Sequence, residues 1–205
     1  VIDSSESYYF TEDKWLFYVK CKEYKIPTPD TILLSDEINL VKRELNEFNH
    51  WPVVLKRIWG EMGEFVERAK NTKEAIKAID KFWDKDNERL PIIAQEFIKS
   101  PSYRVTVIGN KIVQTAIKEN KGWKKTGVYE KKFKKFGIDR DLRIIINKMI
   151  KMSKMKVFGA DLMKKNGKWV VIEINAEPAF DFFENEREKL ICDVLTLMKK
   201  TANKN

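Results

Sequence analysis

Two stretches of this chain leave the backbone little choice. Tyr103 to Ile108 and Lys111 to Ile117 are β-prone runs separated only by Gly109-Asn110, and Phe158 to Lys164 and Trp169 to Asn175 flank a short link around Asn166-Gly167. A parallel pair needs a crossover of about a dozen residues or more, so links this short force antiparallel hairpins. Pro52 to Lys56 and Glu64 to Arg68 read as a third hairpin across a loop holding Gly60 and Gly63, and Ile92 to Ile98 reads as a further strand.

The remaining segments carry helical spacing. Thr11 or Asp13 can cap a helix over residues 13–24, with Trp15, Leu16, Tyr18 and Val19 in helical register, and Ile26-Pro27-Thr28-Pro29 stops it. A short strand from Thr31 to Leu34 follows. Ser35 or Asp36 then opens an amphipathic helix carrying Ile38, Val41, Leu45 and Phe48. Asn71-Thr72 starts a helix to about Trp83, Asp139 caps one to about Lys154, and Glu184 to Lys199 forms the last. Hairpins with helices packed on one face make the class α+β. The glycine-rich element lies between two strands, whereas Walker A and Rossmann motifs need a strand that leads straight into a helix.

Composition excludes several classes. With 205 residues, 43% of them hydrophobic, the chain can bury a sizeable core. No apolar run reaches the roughly 18 residues of a membrane span, and the first ten residues lack the pattern of a signal peptide. Cys21 and Cys192 are far apart with no CxxC pattern, which fits reduced thiols and a cytoplasmic location. His50 is the only histidine, so a histidine-based zinc site or a Ser/His/Asp triad would have to be built around it alone; it reads as a solvated residue at a helix end. The chain starts at Val1, as a processed or truncated protein would.

The net charge of +9 fits a phosphate-bearing partner or simply a Lys/Glu-rich surface. Lys118 to Lys135 holds eight lysines interleaved with Trp123, Tyr129 and Phe133, a composition suited to an acidic macromolecule or to nucleotides.

Three oxygen-bearing residues, Asp161, Glu173 and Asn175, fall on one hairpin. A strict two-residue loop with straight pairing would set Asp161 opposite Ile172 and send Glu173 to the other face. A three-residue loop, Lys165-Asn166-Gly167, pairs Lys164 with Lys168 and puts Asp161, Val171, Glu173 and Asn175 on one face, with Val170, Ile172 and Ile174 in the core. Two carboxylates and an amide oxygen suit Mg2+, with Mn2+ as its usual substitute, because hard cations take oxygen ligands and complete their shell with water and phosphate. Lys56 ends an apolar strand, so its ammonium must snorkel to solvent or meet a fixed anion. The glycines that follow can bring backbone N–H groups to phosphate oxygens, or they can be an ordinary turn.

In order, these segments resemble the ATP-grasp superfamily. The likeness is carried by Asp13-Lys14-Trp15, Lys25-Ile26-Pro27-Thr28-Pro29, Pro52 to Lys56, Gly60 to Gly63, Gln95-Glu96-Phe97-Ile98, Gly159-Ala160-Asp161-Leu162 and Glu173 to Pro178. Within the superfamily it is most similar to the RimK type and the lysine-biosynthesis carrier ligases. The resemblance implies two small α/β lobes with antiparallel sheets clasping ATP, a small lobe at 10–98 with the glycine flap and a large lobe at 99–205 with the metal site. It implies that Lys14, Lys56, Gly60 and Gly63 hold the phosphates, that Glu96, Phe97 and Ile98 hold adenine, that Asp161, Glu173 and Asn175 carry Mg2+, and that Arg104 and Lys118 act on the transferred phosphate.

The implied activity is ATP-dependent joining of a carboxylate to an amine through an acyl phosphate, with an amino acid and an acidic substrate, carrier protein or peptide as partners. The chain departs from the family pattern at Ser102, where an acidic residue is usual, at Lys118 for arginine, and at Thr126 for asparagine; the paired glycines expected after Thr126 are absent. The segment matching Asp13 is usually preceded by a domain of roughly one hundred residues that this sequence does not include, as expected either of a fragment or of a minimal version that takes that surface from a partner or a second copy. A non-catalytic ATP-binding module is the alternative reading, and a nucleic-acid-binding protein the third.

Overall fold

The computed structural model of the chain describes residues 2–60, 63–85, 89–118, 122–123 and 133–203. Short helix α1 (Ser5–Glu12) precedes α2 (Lys14–Glu23), strand β1 (Thr31–Leu33) and α3 (Ile38–Phe48). The hairpin strands β2 (Val53–Arg57) and β3 (Val66–Ala69) are followed by α4 (Thr72–Lys85) and β4 (Ile92–Glu96). Then come β5 (Ser102–Ile108), β6 (Lys111–Lys118), the two-residue β7 (Phe133–Lys134) and α5 (Arg140–Ser153). The hairpin β8 (Val157–Lys165) and β9 (Lys168–Asn175) leads to α6 (Glu184–Ala202).

The strands form two antiparallel sheets, one in the order β1-β4-β2-β3 and one in the order β7-β6-β5-β8-β9. The expected α+β class holds. Val53, Leu55, Ile92 and Ala94 turn to one face of the first sheet, where Val41 and Leu45 of α3 and Ala75, Ile79 and Phe82 of α4 cover them. The second sheet buries Val105, Val107, Phe158, Ala160, Leu162 and Val171 under Leu142, Ile145, Ile146 and Met149 of α5. Phe17 and Cys21 of α2 pack into this second core, so the early helix α2 sits on the sheet built from the later half of the chain. Each sheet thus has one face closed by helices and one face free for polar residues, the division that period-2 alternation dictates. Among the described residues no helix is long and apolar enough to cross a membrane.

Several boundaries differ from the sequence reading. Asp13 caps α2 through the N–H groups of Trp15 and Leu16, while α1, which lacks apolar periodicity, was not expected. The cap of α3 is Glu37, whose carboxylate accepts from Asn39 and Leu40 N–H; the Ser35 hydroxyl is engaged by Glu44 instead. Strand β4 ends at Glu96 rather than Ile98, and β7 was not anticipated.

The last hairpin corrects the expected loop. Lys165 pairs with Lys168, so the turn is the two residues Asn166 and Gly167, both left-handed with φ of 50° and 77°. That is the turn which Asn-Gly favours. The register then shifts between Asp161 and Leu162, so that Leu162 faces Val171 while Asp161 faces Glu173. A bulge at Ile172 therefore supplies the extra residue that the sequence reading assigned to the turn. It also exchanges two valines: Val171 lies in the core beneath α5, not beside Glu173, and Val170 takes the opposite face.

Candidate functional site

The open face of the second sheet is organised in transverse rows. Ala116, Arg104, Asp161 and Glu173 are successive cross-strand partners, and the next row is Gln114, Thr106, Gly159 and Asn175. Directly opposed residues share a face, so Arg104, Asp161, Glu173 and Asn175 are brought together as expected. Ser102 is the cross-strand partner of Lys118 at the adjoining edge.

In these rows Arg104 and Asp161 are buried, Glu173 is half-buried, and the charges are matched unequally. Arg104 donates from Nε to Asp161 Oδ1 at 2.6 Å and from its terminal nitrogen to Oδ2 at 2.7 Å, while Lys118 Nζ stands 3.8 Å from Oδ1. Burial alone would raise the Asp161 pKa, but the Arg104 guanidinium and Lys118 outweigh it and hold the carboxyl well below the usual range. Glu173 goes the other way, pushed up by burial and by the Asp161 carboxylate beside it. The Asn175 amide nitrogen is buried with no partner.

Two adjacent carboxylates, of which Glu173 has its pKa pushed up by burial and by its neighbour, with an amide on the same face, fit a divalent cation of the Mg2+ kind. Among the described residues no group of three or more His, Cys, Asp or Glu side chains could hold a metal by itself. The set therefore suits an ion that takes much of its shell from water and phosphate.

The first sheet contributes its open face too. Lys56 Nζ donates to Gln95 Oε1 at 2.8 Å, and Gln95 Nε2 donates to Thr31 Oγ1 at 3.0 Å, a chain of bonds that fixes the ammonium in the interior. Burial lowers the Lys56 pKa to about 8, against the opposing pull of Glu173. Lys56, Gln95 and Ile93 form one wall of a cleft whose other side is Val171 and Ile172 of β9, with Lys14, Phe17, Tyr18 and Thr28 closing its end. The Thr28 hydroxyl there is buried with no partner. Lys14 Nζ donates to the Gly60 carbonyl at 2.7 Å, which ties α2 to the root of the glycine loop. Gly60 and Gly63 both have positive φ, 137° and 74°, conformations that a side chain disfavours. Residues 61 and 62 of that loop lie outside the described residues.

Glu96, Phe97 and Ile98 follow β4 where the chain passes from the first sheet to the second. The Glu96 carboxylate accepts from Lys165 Nζ at 2.6 Å, a bond between the two sheets that the sequence reading did not foresee. Arg68 stacks over Phe97 at 5.1 Å and over Trp123 at 5.4 Å. Thr126, Tyr129 and most lysines of the basic stretch lie outside the described residues. Ser102 is fully buried and its hydroxyl has no partner.

The sequence reading missed Gln95 as the residue that orients Lys56, and Gly159 as a space-giving residue beneath Arg104. Each lies within a quoted motif, but only the register shows what it touches.

The description RimK-like ATP-grasp domain matches residues 11–194. The chain belongs to the RimK-like ATP-grasp family. A probable alpha-L-glutamate ligase of Histophilus somni (strain 2336) is 26% identical over 84% of this chain, and the chain spans 58% of that relative's length. The coenzyme gamma-F420-2:alpha-L-glutamate ligase of Methanocaldococcus jannaschii is 25% identical over 98% of this chain and 71% of its own.

Solved structures agree on the fold. The ATP complex of D-alanine–D-alanine ligase from Bacillus anthracis superposes with a TM-score of 0.76 at 18% identity, covering 98% of this chain and 69% of that one. The ATP-grasp ligase PsnB, solved with precursor peptide PsnA2 and AMPPNP, gives 0.71 at 16% identity over 97% of this chain and 63% of its own.

Proposed function

We propose that this chain binds ATP with Mg2+ between its two sheets and activates a carboxylate for attack by an amine, as an ATP-dependent carbon-nitrogen ligase. The observation that carries the reading is the approach of two groups of charge: the buried Lys56 of the first sheet with the half-buried Lys14 of α2, and the buried Asp161 with the half-buried Glu173 of the second sheet. Lys56 and Lys14 line the cleft, and Asp161 and Glu173 are cross-strand partners beside Arg104. The lobes would divide near residue 98, with α2 seated on the second.

In this reading Lys14, Lys56 and the backbone at Gly60 and Gly63 bind the phosphates, and Glu96, Phe97 and Ile98 border the adenine. Asp161, Glu173 and Asn175 would hold Mg2+, which when bound supplies charge neutralisation at phosphate oxygens. A substrate carboxylate oxygen attacks the γ-phosphorus and ADP leaves; the amine nitrogen then attacks the acyl carbon, and phosphate departs with that oxygen. Lys118 places positive charge beside the group in transfer, where phosphoryl transfer gains most of its acceleration. No protein nucleophile takes part. The names of the glutamate ligases support an amino acid, glutamate among the candidates, as the amine, and the peptide-bound PsnB is consistent with a peptide as the other partner; the net charge of +9 favours an acidic peptide or carrier.

A second reading, an ATP-binding module without turnover, draws support from Asp161, both of whose oxygens already accept from Arg104.

Calorimetric titration of ATP with and without Mg2+ tests the first reading, using wild type and the Asp161→Asn, Glu173→Gln double variant. Metal-dependent binding that the double variant loses, followed by ADP release with amino acids and acidic peptides, is the expected result. Binding without any ADP release across such acceptors would favour the module, and no binding in wild type would overturn both readings.

A further inference from the structure

Gly159 and Arg104 act as one unit, the missing side chain of the first making room for the second. A Cβ added at Gly159 would stand 2.5 Å from a terminal nitrogen of Arg104, 3.3 Å from Arg104 Cδ and 3.2 Å from Pro178 Cβ. The first distance is shorter than real Cβ contacts, so Arg104 would have to move. Gly159 is not among the positive-φ glycines, and space rather than backbone conformation is what keeps a side chain out.

Arg104 reaches Asp161 by crossing this vacancy. Its two bonds of 2.6 and 2.7 Å take both carboxylate oxygens, and a bidentate fork of this kind fixes the plane of the acid as well as its position. Both partners are buried, so water does not compete for either. Thr106 Oγ1 and Gln114 Oε1, in the same transverse row as Gly159, are buried without partners and would offer a displaced guanidinium other acceptors.

We propose that Gly159 is a positioning residue: it reserves the volume through which Arg104 holds Asp161 in the orientation that faces Glu173 and Asn175. The proposal rests on the metal-nucleotide reading above and assigns to Arg104 a role exerted through Asp161 rather than through direct contact with substrate. Removing an outer residue that orients a metal ligand typically weakens metal affinity by about 10–100-fold.

The test compares Gly159→Ala, Arg104→Ala and the double variant by two readouts. One is Mn2+ binding in the presence of a non-hydrolysable ATP analogue, followed by electron paramagnetic resonance. The other is the NMR resonance of the Arg104 Nε–H, assigned by its loss in Arg104→Ala.

Gly159→Ala is expected to shift or abolish that resonance and to weaken Mn2+ binding about 10–100-fold. The double variant should bind Mn2+ no worse than Arg104→Ala alone, because residues acting through one contact are not additive. Independent, multiplying effects, or a Gly159→Ala protein that keeps both the resonance and its Mn2+ affinity, would overturn the proposal. If Gly159→Ala does not fold, the double variant decides: relieved of the clash it should fold as Arg104→Ala does, and its failure to do so overturns the proposal. A wild type that binds no Mn2+ with the analogue would instead overturn the metal-nucleotide reading, and the resonance would still decide whether the Gly159–Arg104 pair exists.

Discussion

Lys56 shows what burial does to a single charge. An ordinary lysine loses its proton near about 10.4, and burial brings Lys56 down to about 8, with Glu173 acting against the shift and Lys14 adding to it. The folded protein therefore binds fewer protons than the unfolded chain between about pH 8 and 10, and by linkage its stability should rise across that window. Below pH 8 the full cost of the buried charge is present. Phosphate oxygens placed against the ammonium would restore its affinity for a proton. Nucleotide binding at pH 8 to 8.5 is thus expected to take up a proton, measured as a dependence of the calorimetric enthalpy on the ionisation enthalpy of the buffer. In Lys56→Met both the rise in urea-unfolding stability and the proton uptake should vanish. If the uptake persisted in that variant, another group would be receiving the proton.

At the scale of elements, the β8–β9 hairpin separates what a sequence can reveal from what it cannot. That Asp161 and Glu173 share a face was legible, but not that they pair, since the expected loop would set Asp161 opposite Val171. The device behind it was not: an extra residue in the turn and an extra residue in the strand solve the same register problem, and the turn is the more familiar place to look. The bulge at Ile172 costs a valine its expected side, since alternation resets at each bulge. Helix α5 and its Asp139 cap were readable from spacing and cap chemistry alone; α1 was not, lacking an apolar stripe. Contacts between elements, such as Lys165 with Glu96 and Arg104 over Gly159, carry no local signature. Because the turn residue Gly167 is left-handed, Gly167→Val should cost about 1–2 kcal/mol of stability, read as a lower urea midpoint. Register set by the bulge and the sheet should leave Mn2+ affinity unchanged. A matching loss of affinity would place control of the site in the turn instead.

For the molecule as a whole, charge and cleft make separable demands. The chain carries +9 in total, yet the lysine that faces the cleft most directly, Lys56, is buried, and salt screens buried pairs much less than exposed ones. ATP binding should therefore respond only weakly to ionic strength. An acidic peptide or carrier approaching from solvent would feel the full excess of surface lysine, and its rate of encounter should fall steeply as salt is added. Measured together between about 0.05 and 0.3 M salt, the KM for ATP should move by less than about twofold, while kcat/KM for a poly-acidic acceptor should fall by about tenfold or more. If both parameters moved alike, exposed charge would be binding the nucleotide too, and the buried lysine could not be its main anchor. If neither moved, the acceptor would be neutral, and the basic surface would have no part in choosing it. The two demands separate because Lys56 is buried while the net charge of +9 acts on what approaches from solvent, so salt should reach the second and spare the first.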